Sequence, residues 1–284
     1  MITRLRLTFG VAAGLLGAVA IALPVVRAAA DTSRTVYMSA VDQKGELVTD
    51  LTPADLVVKE NNQVRQVTSL AHATEPNHVA LIVDDGGDGT LRAPVVEFLN
   101  AATNVVVSMR MLSPQALVLN DYSTDKDTIQ QSILRLVERG RSPADTALLS
   151  DAISSAAREM IKRKLSRPAI VVLTTGGEGV EQEIARGILA DIRDSGASLH
   201  VVRVVNSDAG TVLNDGPEQS GGSTEVAAST KAFSDRMKAI ARTLSYQYKL
   251  SYVLPDGVKP NDRLQVTTTR PGVKIVAPTR IAPK

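Results

Sequence analysis

Short apolar runs alternate with amphipathic segments along most of this chain. The runs are bounded by glycine or polar residues, which is typical of strands buried on both faces of a sheet. Between them, apolar residues recur every three or four positions, which predicts helices with one buried face. Strands are predicted at 79–84, 115–121, 169–174 and 198–205, and helical faces at 91–105, 129–136, 149–160, 184–192 and 233–244. This alternation predicts an α/β fold with a doubly wound, mainly parallel sheet covered by helices on both sides.

A long polar segment interrupts this alternation. Residues 206–229 contain Asp-Ala-Gly, Asn-Asp-Gly-Pro and Ser-Gly-Gly-Ser, which are turn-forming combinations. We interpret the segment as a loop at the sheet edge where the first strand ends, and we expect residues 207–228 to be mobile.

Two β-rich pieces flank the α/β part. The N-terminal piece contains a predicted strand at 35–41, a short helical turn at Pro53, and a hairpin that turns at Asn61 and Asn62. In the C-terminal piece, 246–253 is a predicted strand, 264–269 its predicted partner, and 272–276 a further candidate strand. The two pieces are expected to pack together, because open sheet edges need covering. The predicted divisions are 1–30, 31–75, 76–245 and 246–284.

Residues 1–30 have the pattern of a secretory signal peptide. Arg4 and Arg6 precede an apolar stretch that ends in three alanines, so cleavage is predicted after Ala30. The alternative is an uncleaved anchor, since the apolar stretch is about long enough to cross a bilayer. The expected destination is the periplasm or the extracellular space.

Charge and composition exclude several kinds of function. Removal of residues 1–30 takes away 3 of the 32 basic residues and none of the 30 acidic ones, so the net charge changes from +2 to −1. With only 3% aromatic residues, this composition does not indicate a nucleic-acid surface. The chain has no cysteine, which excludes disulfides, zinc–thiolate sites and thiol catalysis.

The most distinctive chemistry follows the first strand of the α/β part. Asp84, Asp85 and Asp88 are interspersed with three glycines in residues 84–90, called the acidic turn below. Ligands bind at the carboxyl ends of strands in open α/β sheets, and aspartate oxygens suit Mg²⁺ or Ca²⁺. The alternative is an ordinary turn, in which Asp side chains cap the backbone and Gly allows tight bends.

Nothing else in the sequence suggests an active site. His72, His78 and His200 do not have the spacing of metal ligands, and no Gly-x-Ser-x-Gly motif organises a serine. We therefore expect that the protein is not an enzyme.

Three blocks of sequence together resemble a von Willebrand factor type A domain, specifically the exported bacterial group called acidobacterial VWFA-related. The blocks are residues 42–56, the acidic turn with 146–153, and 246–252 with 270–273. In this order they span nearly all of the chain after residue 30. The resemblance implies a VWA/Rossmann-like fold and a role in protein–protein recognition or adhesion.

The metal-ion-dependent adhesion site of such domains is matched only in part. Its pattern is Asp-x-Ser-x-Ser, a distant Thr and a later Asp, which fall here on Asp84, Gly86, Asp88, Thr146 and Thr175. Gly86 lacks the hydroxyl, Thr175 lacks the carboxylate, and Glu178 lies three residues too late to replace it. Asp88 adds a carboxylate where a partner's acid would approach the metal. The resemblance thus implies a degenerate site.

Three readings of this site stay open. The leading one is a scaffold without a metal or other cofactor. The second is a rearranged Ca²⁺ or Mg²⁺ site that uses Asp84, Asp88 and Thr146, and the third is the normal adhesion site.

The function expected from the sequence is recognition of an unidentified protein partner by an exported protein. The surface is the sheet edge with segments 84–90, 141–146, 175–180 and 206–229, and its candidate residues are Asp84, Asp85, Asp88, Thr146, Thr175 and Glu178. No nucleic acid is expected as a partner, and no membrane after signal removal. The alternatives are a hydrolase or other enzyme that uses the acidic turn, and a purely structural envelope component.

Overall fold

The computed structural model describes residues 32–112, 116–136, 146–177, 179–205 and 209–283, with only the backbone of Thr146 and Ala147. These residues belong to one compact unit, Asp31–Lys284. The predicted signal peptide and Glu178 lie outside the described residues.

Regular structure covers most of the described chain. The strands are β1 (Thr32–Val41), β2 (Leu56–Glu60), β3 (Gln63–His72), β4 (Asn77–Asp84), β5 (Val105–Met111), β6 (Leu117–Ser123), β7 (Pro168–Thr174), β8 (Ser198–Val204), β9 (Ser223–Ala227), β10 (Tyr248–Leu254), β11 (Leu264–Thr268) and β12 (Lys274–Val276). The helices are α1 (Arg92–Ala101), α2 (Lys126–Leu134), α3 (Thr146–Arg163), α4 (Gln182–Ser195), α5 (Gly210–Ser220) and α6 (Thr230–Ser245), and Pro53–Asp55 form a 3₁₀ turn. Among the helices of the described segments, none is both long and apolar enough to span a membrane.

The predicted α/β fold with a mainly parallel sheet is confirmed. Its strand order is β6-β5-β4-β7-β8-β9, and every neighbouring pair is parallel except β5 with β6 at one edge. The apolar run of β4 is buried on both faces: Leu81 and Val83 pack with α1 and α6, whereas Ala80 and Ile82 pack with α3 and α4. The sheet therefore holds the end of β4 rigidly between two neighbouring strands.

The sequence pattern missed strand β5. The predicted helical face extended to Val105, but α1 ends at Ala101 and Val105 is the first residue of β5. Asn104, with a φ of 54°, turns the chain between the two elements. The first residue of the apolar strand β5 happens to fit the three- or four-residue spacing of the helical face. The spacing therefore could not show where α1 ends and β5 begins.

For the described residues 209–229, the prediction of a long loop was wrong, because α5 and β9 occupy most of them, while residues 206–208 lie outside the described part of the chain. Val212 and Leu213 are fully buried against the sheet, and β9 pairs with β8. The glycines serve close packing: a Cβ on Gly216 would lie 2.7 Å from Cδ2 of Leu199. The loop on which the expected mobility of residues 207–228 was based is therefore replaced by regular structure at 210–220 and 223–227, and the mobility itself stays a prediction.

Strands from both flanks form one antiparallel sheet, in the order β11-β2-β3-β10-β1-β12. The predicted β2–β3 hairpin is confirmed, with φ values of 49° and 61° at Asn61 and Asn62. The predicted pairing of 246–253 with 264–269 was wrong. Strand β10 begins at Tyr248 and has β1 and β3 on its two sides, so β11 pairs with β2 instead.

Candidate functional site

Asp84 ends β4 at the carboxyl edge of the parallel sheet, as predicted. Its carboxylate is buried, with 8% of the residue exposed, and the hydroxyl of Thr174 donates to its Oδ2 at 2.8 Å. Burial raises the pKa of Asp84, and the neighbouring Asp85 carboxylate adds to this, while the hydrogen bond from Thr174 opposes it. This carboxyl group is therefore held against β7 rather than presented to solvent.

Asp85 shapes the acidic turn from inside. Its Oδ1 accepts the backbone N–H of Gly87 at 2.9 Å, and its Oδ2 accepts that of Gly89 at 3.0 Å. Gly86, Gly87 and Gly89 have φ values of 65°, 85° and 72°, in the left-handed region that favours glycine. Both oxygens of this buried carboxylate thus bind the turn's own backbone.

Asp88 is the half-buried carboxylate of the turn. Its Oδ1 accepts the backbone N–H of Thr90 at 2.9 Å and the hydroxyl of Thr90 at 2.7 Å. Thr90 is exposed, and α1 begins two residues later at Arg92. Asp88 and Thr90 are therefore the polar groups of the acidic turn that a partner can reach.

The structure brings together three of the positions matched to the adhesion motif, Asp84, Gly86 and Thr175. A Cβ on Gly86 would lie 3.9 Å from Oγ1 of Thr175. Thr175 is half-buried, and it donates its backbone N–H to the carbonyl oxygen of Asp84 at 2.9 Å. The backbone of Thr146 begins α3, and its side chain and Glu178 are outside the described part of the chain.

Sequence reasoning missed Thr174, which contacts the carboxylate of Asp84 directly. Thr174 is the residue opposite Asp84 in the parallel pairing of β4 and β7. The spacing of the adhesion motif selected Thr175 instead, whose hydroxyl lies 3.4 Å from the main-chain oxygen of Asp84. The apolar run that ends at Thr174 was the available signal, because it places that residue last in its strand.

The carboxylates of the acidic turn are engaged by donors of the protein itself. Asp84 accepts from Thr174, Asp85 from two glycines and Asp88 from Thr90, so a cation would have to compete with these bonds. Over the described ranges, no three or more His, Asp or Glu side chains are grouped to hold a metal. A hard cation usually takes six or more oxygen ligands, and the side chains of Thr146 and Glu178, two of the candidate site residues, lie outside the described residues.

Comparisons with known proteins bear on the fold. No protein-family model and no curated protein matches the sequence. The similar solved structures include a von Willebrand factor type A protein from Catenulispora acidiphila, with 8% identity and a TM-score of 0.52 over 82% of this chain and 75% of that one. At this identity the similarity shows the fold alone. The described residues therefore have a von Willebrand factor type A-like fold.

Two further solved structures are similar at lower TM-scores. A mutant of the PilB minor pilin from Streptococcus sanguinis has 13% identity and a TM-score of 0.43, covering 61% of this chain and 62% of that one. Proximal thread matrix protein 1 from the mussel byssus, with a zinc-occupied MIDAS motif, has 11% identity and a TM-score of 0.49. The match covers 66% of this chain and 49% of that one.

Proposed function

We propose that this chain is an exported protein that recognises a protein partner through the edge bearing the acidic turn, without a standard adhesion-type metal ion. Of the six residues expected from the sequence, Asp88, Thr146, Thr175 and Glu178 stay candidate contacts, whereas Asp84 and Asp85 are buried and would support the turn from inside. The supporting observation is that the carboxylates of Asp84 and Asp85 are buried and hydrogen-bonded, whereas Asp88 and Thr90 are accessible. A rigid turn with accessible polar groups presents a preformed recognition surface, because little conformational entropy is lost on binding.

A photo-crosslinking residue at position 90 tests the surface. Thr90 is exposed in the acidic turn, and Val64 is 67% exposed on the antiparallel sheet, so position 64 is a matched exposed control. In the source cells, we expect one discrete crosslinked protein at position 90, retained with a metal chelator, and none at position 64. Identical crosslinks at both positions would contradict a specific surface.

A charge reversal then tests the role of Asp88. Asp125 is the control, because it accepts the backbone N–H and the hydroxyl of Thr128 in the same way, but on α2. Asp88→Lys should weaken the crosslink by about tenfold through lost charge complementarity, whereas Asp125→Lys should leave it unchanged. An equal loss of the crosslink in Asp88→Lys and Asp125→Lys would mean that the substitutions act by destabilising the protein rather than by removing a contact with the partner.

Calorimetric titration with Mg²⁺, Ca²⁺ and Mn²⁺ tests the metal-free part of the proposal. We expect no tight binding, because the oxygens of the acidic turn accept protein donors. Tight binding that Asp84→Ala abolishes would establish a rearranged metal site. Hydrolytic activity lost in the same variant, with the fold intact, would favour the enzyme alternative.

Sequencing the N-terminus of the mature protein tests export. We expect the exported form to begin at Asp31, since the pattern of residues 1–30 predicts cleavage after Ala30. A form that retains residues 1–30 in the membrane fraction would indicate an anchor instead.

A further inference from the structure

Strand β1 is paired along only part of one of its sides. Strand β10 pairs with residues 32–38 on one side, whereas β12 on the other side pairs only with residues 39–41. Within the described part of the chain, no strand pairs with this second side of residues 32–38. This stretch of β1 is therefore an open strand edge.

One backbone hydrogen bond of β1 fixes which backbone groups face the open side. Val48 donates to the carbonyl oxygen of Ala40, on the side of β1 where β10 lies. Backbone groups of successive strand residues point to alternate sides. The side chains of Val36, Met38 and Ala40 all enter the same core, so the alternation is unbroken along β1.

It follows that the backbone groups of Ser33, Thr35 and Tyr37 point away from β10. Each of these residues offers one N–H and one C=O group to the open side. Backbone polar groups withdrawn from water need partners, so an edge of this kind favours the addition of another strand.

A cavity of about 570 Å³ lies against this edge. Residues 33–37 form one wall, and residues 192–198, at the junction of α4 and β8, form another. We call this space the β1 cavity. Pro168 and Ser198 line it at the amino ends of β7 and β8, so it is a different site from the acidic turn at the carboxyl ends. Its volume is within the range of ligand-binding pockets.

The described lining of the β1 cavity contains more basic than acidic residues. One acidic residue, Asp194, is accompanied by five basic ones, namely Arg34, Arg167, Arg193, Lys249 and Arg280. Arg193 pairs with the adjacent Asp194. Arg34, Lys249 and Arg280 pair with Glu60, Glu75 and Asp262, whose carboxylates are not part of the lining, so the side facing the cavity is basic.

Arg167 adds a buried positive charge beside the cavity. Only 2% of the residue is exposed, and its guanidinium donates to the main-chain oxygens of Glu75 and Leu244 and to Oε1 of Gln247. These acceptors are neutral, and the Glu75 carboxylate acts on the guanidinium only through space, without a hydrogen bond. An acidic ligand in the cavity would reduce the cost of this burial.

We infer that the β1 cavity binds an extended peptide segment with acidic side chains, which adds as a strand to the open edge of β1. Alternating N–H and C=O groups along an edge match a peptide backbone, whereas a phosphate group or a nucleic acid offers no such row of donors. The basic lining selects acidic side chains by charge complementarity.

Fluorescence anisotropy with short peptides tests this inference on protein purified after expression of the full chain. The probe is a labelled hexapeptide of alternating Glu and Val, and one control replaces each Glu with Lys. A second control keeps the acidic side chains but carries N-methyl groups on alternate backbone nitrogens, which removes donors and blocks strand pairing. We expect the first peptide to bind at least about tenfold more tightly than either control.

Variants of β1 test the position of the peptide. Thr35→Pro removes an N–H that faces the cavity and leaves the β1–β10 hydrogen bonds in place, since proline is tolerated at strand edges. It should weaken binding by about tenfold. Thr35→Val is the control, because it removes the hydroxyl that contacts Ser251 but keeps the N–H. It should bind as the wild type does.

Variants of α4 test the charge. Arg193→Gln removes a basic side chain from the cavity lining, and Arg186→Gln removes an exposed one from the same helix outside the lining. Arg193→Gln should weaken binding of the acidic peptide about three- to fivefold and make the affinity less dependent on salt concentration. Arg186→Gln should leave both the affinity and its salt dependence unchanged.

Equal binding of the acidic and N-methylated peptides would overturn strand addition, and equal binding of the acidic and basic peptides would overturn the acidic specificity. Wild-type binding by a natively folded Thr35→Pro variant, judged by circular dichroism, would place the peptide elsewhere. A dimer in sedimentation velocity that Thr35→Pro dissociates would replace the peptide with a second copy of this chain and refute the inference.

Discussion

His200 shows how this protein keeps a titratable side chain in its core. The residue lies in β8 with 1% of its surface exposed. Its Nδ1 is 3.1 Å from Oγ of Ser223 and its Nε2 is 3.2 Å from Oγ of Ser198. Hydroxyl groups can donate or accept, so they satisfy a neutral imidazole. Burial lowers the pKa of His200 to about 4, and the ring is therefore neutral in the folded protein at pH 7.

This burial predicts a pH dependence of stability. The pKa of His200 is about 4 in the folded state and about 6.5 in the unfolded state, so the unfolded state binds more protons between these values. The contribution of neutral His200 to the free energy of unfolding is fully present above about pH 6.5. It is lost as the pH falls toward 4, and the total loss is about 3 kcal/mol. Urea denaturation at several pH values should show this slope. His200→Gln should reduce the slope, whereas His72→Gln, which changes an exposed histidine, should retain it.

The acidic turn shows what single residues reveal before a structure is known. Its turn character follows from the glycines, which adopt positive φ, and from Asp side chains, which accept backbone N–H groups. The hydrogen-bond partner of the Asp84 carboxylate cannot be predicted in this way. The motif spacing selects Thr175, whereas the strand register places Thr174 opposite Asp84. Thr174 contacts the Asp84 carboxylate, whereas Thr175 contacts its main chain. Register depends on the packing of whole strands, which a local motif does not contain.

At the level of elements, residues 210–227 show why glycine misled the prediction. Glycine lowers helix and strand propensity, so a glycine-rich segment resembles a loop. Here two glycines allow close approach to Leu199 of β8: a Cβ on Gly216 would lie 2.7 Å from its Cδ2, and one on Gly222 would lie 1.8 Å from its carbonyl oxygen. The contact is long-range in sequence, so propensity alone could not distinguish packing from flexibility.

Substitution of Gly222 should therefore be severe. Gly222→Ala would place a methyl group against the main chain of Leu199, which cannot rotate away, and we expect a loss of about 3 kcal/mol or more in unfolding free energy. Gly187→Ala is the matched control, because Gly187 is exposed within α4 and no atom lies within 4 Å of its added Cβ. It should stabilise the protein by about 0.5–1 kcal/mol. Similar urea midpoints for the two variants would refute this packing role.

At the level of the whole molecule, Arg167 is a buried polar contact where the two sheets meet. Arg167 precedes β7, and its guanidinium reaches the main chain at Glu75 before β4 and at Leu244 in α6. It also bonds Gln247, one residue before β10 of the antiparallel sheet. Burial lowers the pKa of this guanidinium, which is the electrostatic cost of the arrangement. Arg167 thus joins three segments at the crossing from the α/β part into the antiparallel sheet.

Arg167→Gln should uncouple the two sheets, because it leaves several buried carbonyl groups without a donor. We expect a loss of about 3 kcal/mol in unfolding free energy. All the described helices pack on the parallel sheet, so far-ultraviolet circular dichroism reports mainly on that part. Tyr122 in β6 and Tyr246 after α6 are replaced by Phe in every protein compared, so that Tyr37, Tyr248 and Tyr252 report by fluorescence on the antiparallel sheet. In urea the two signals should change together in the wild type and in the exposed-site control Arg186→Gln, and separately in Arg167→Gln. Coincident transitions in Arg167→Gln at the wild-type midpoint would show that apolar contacts, rather than this buried cation, hold the sheets together.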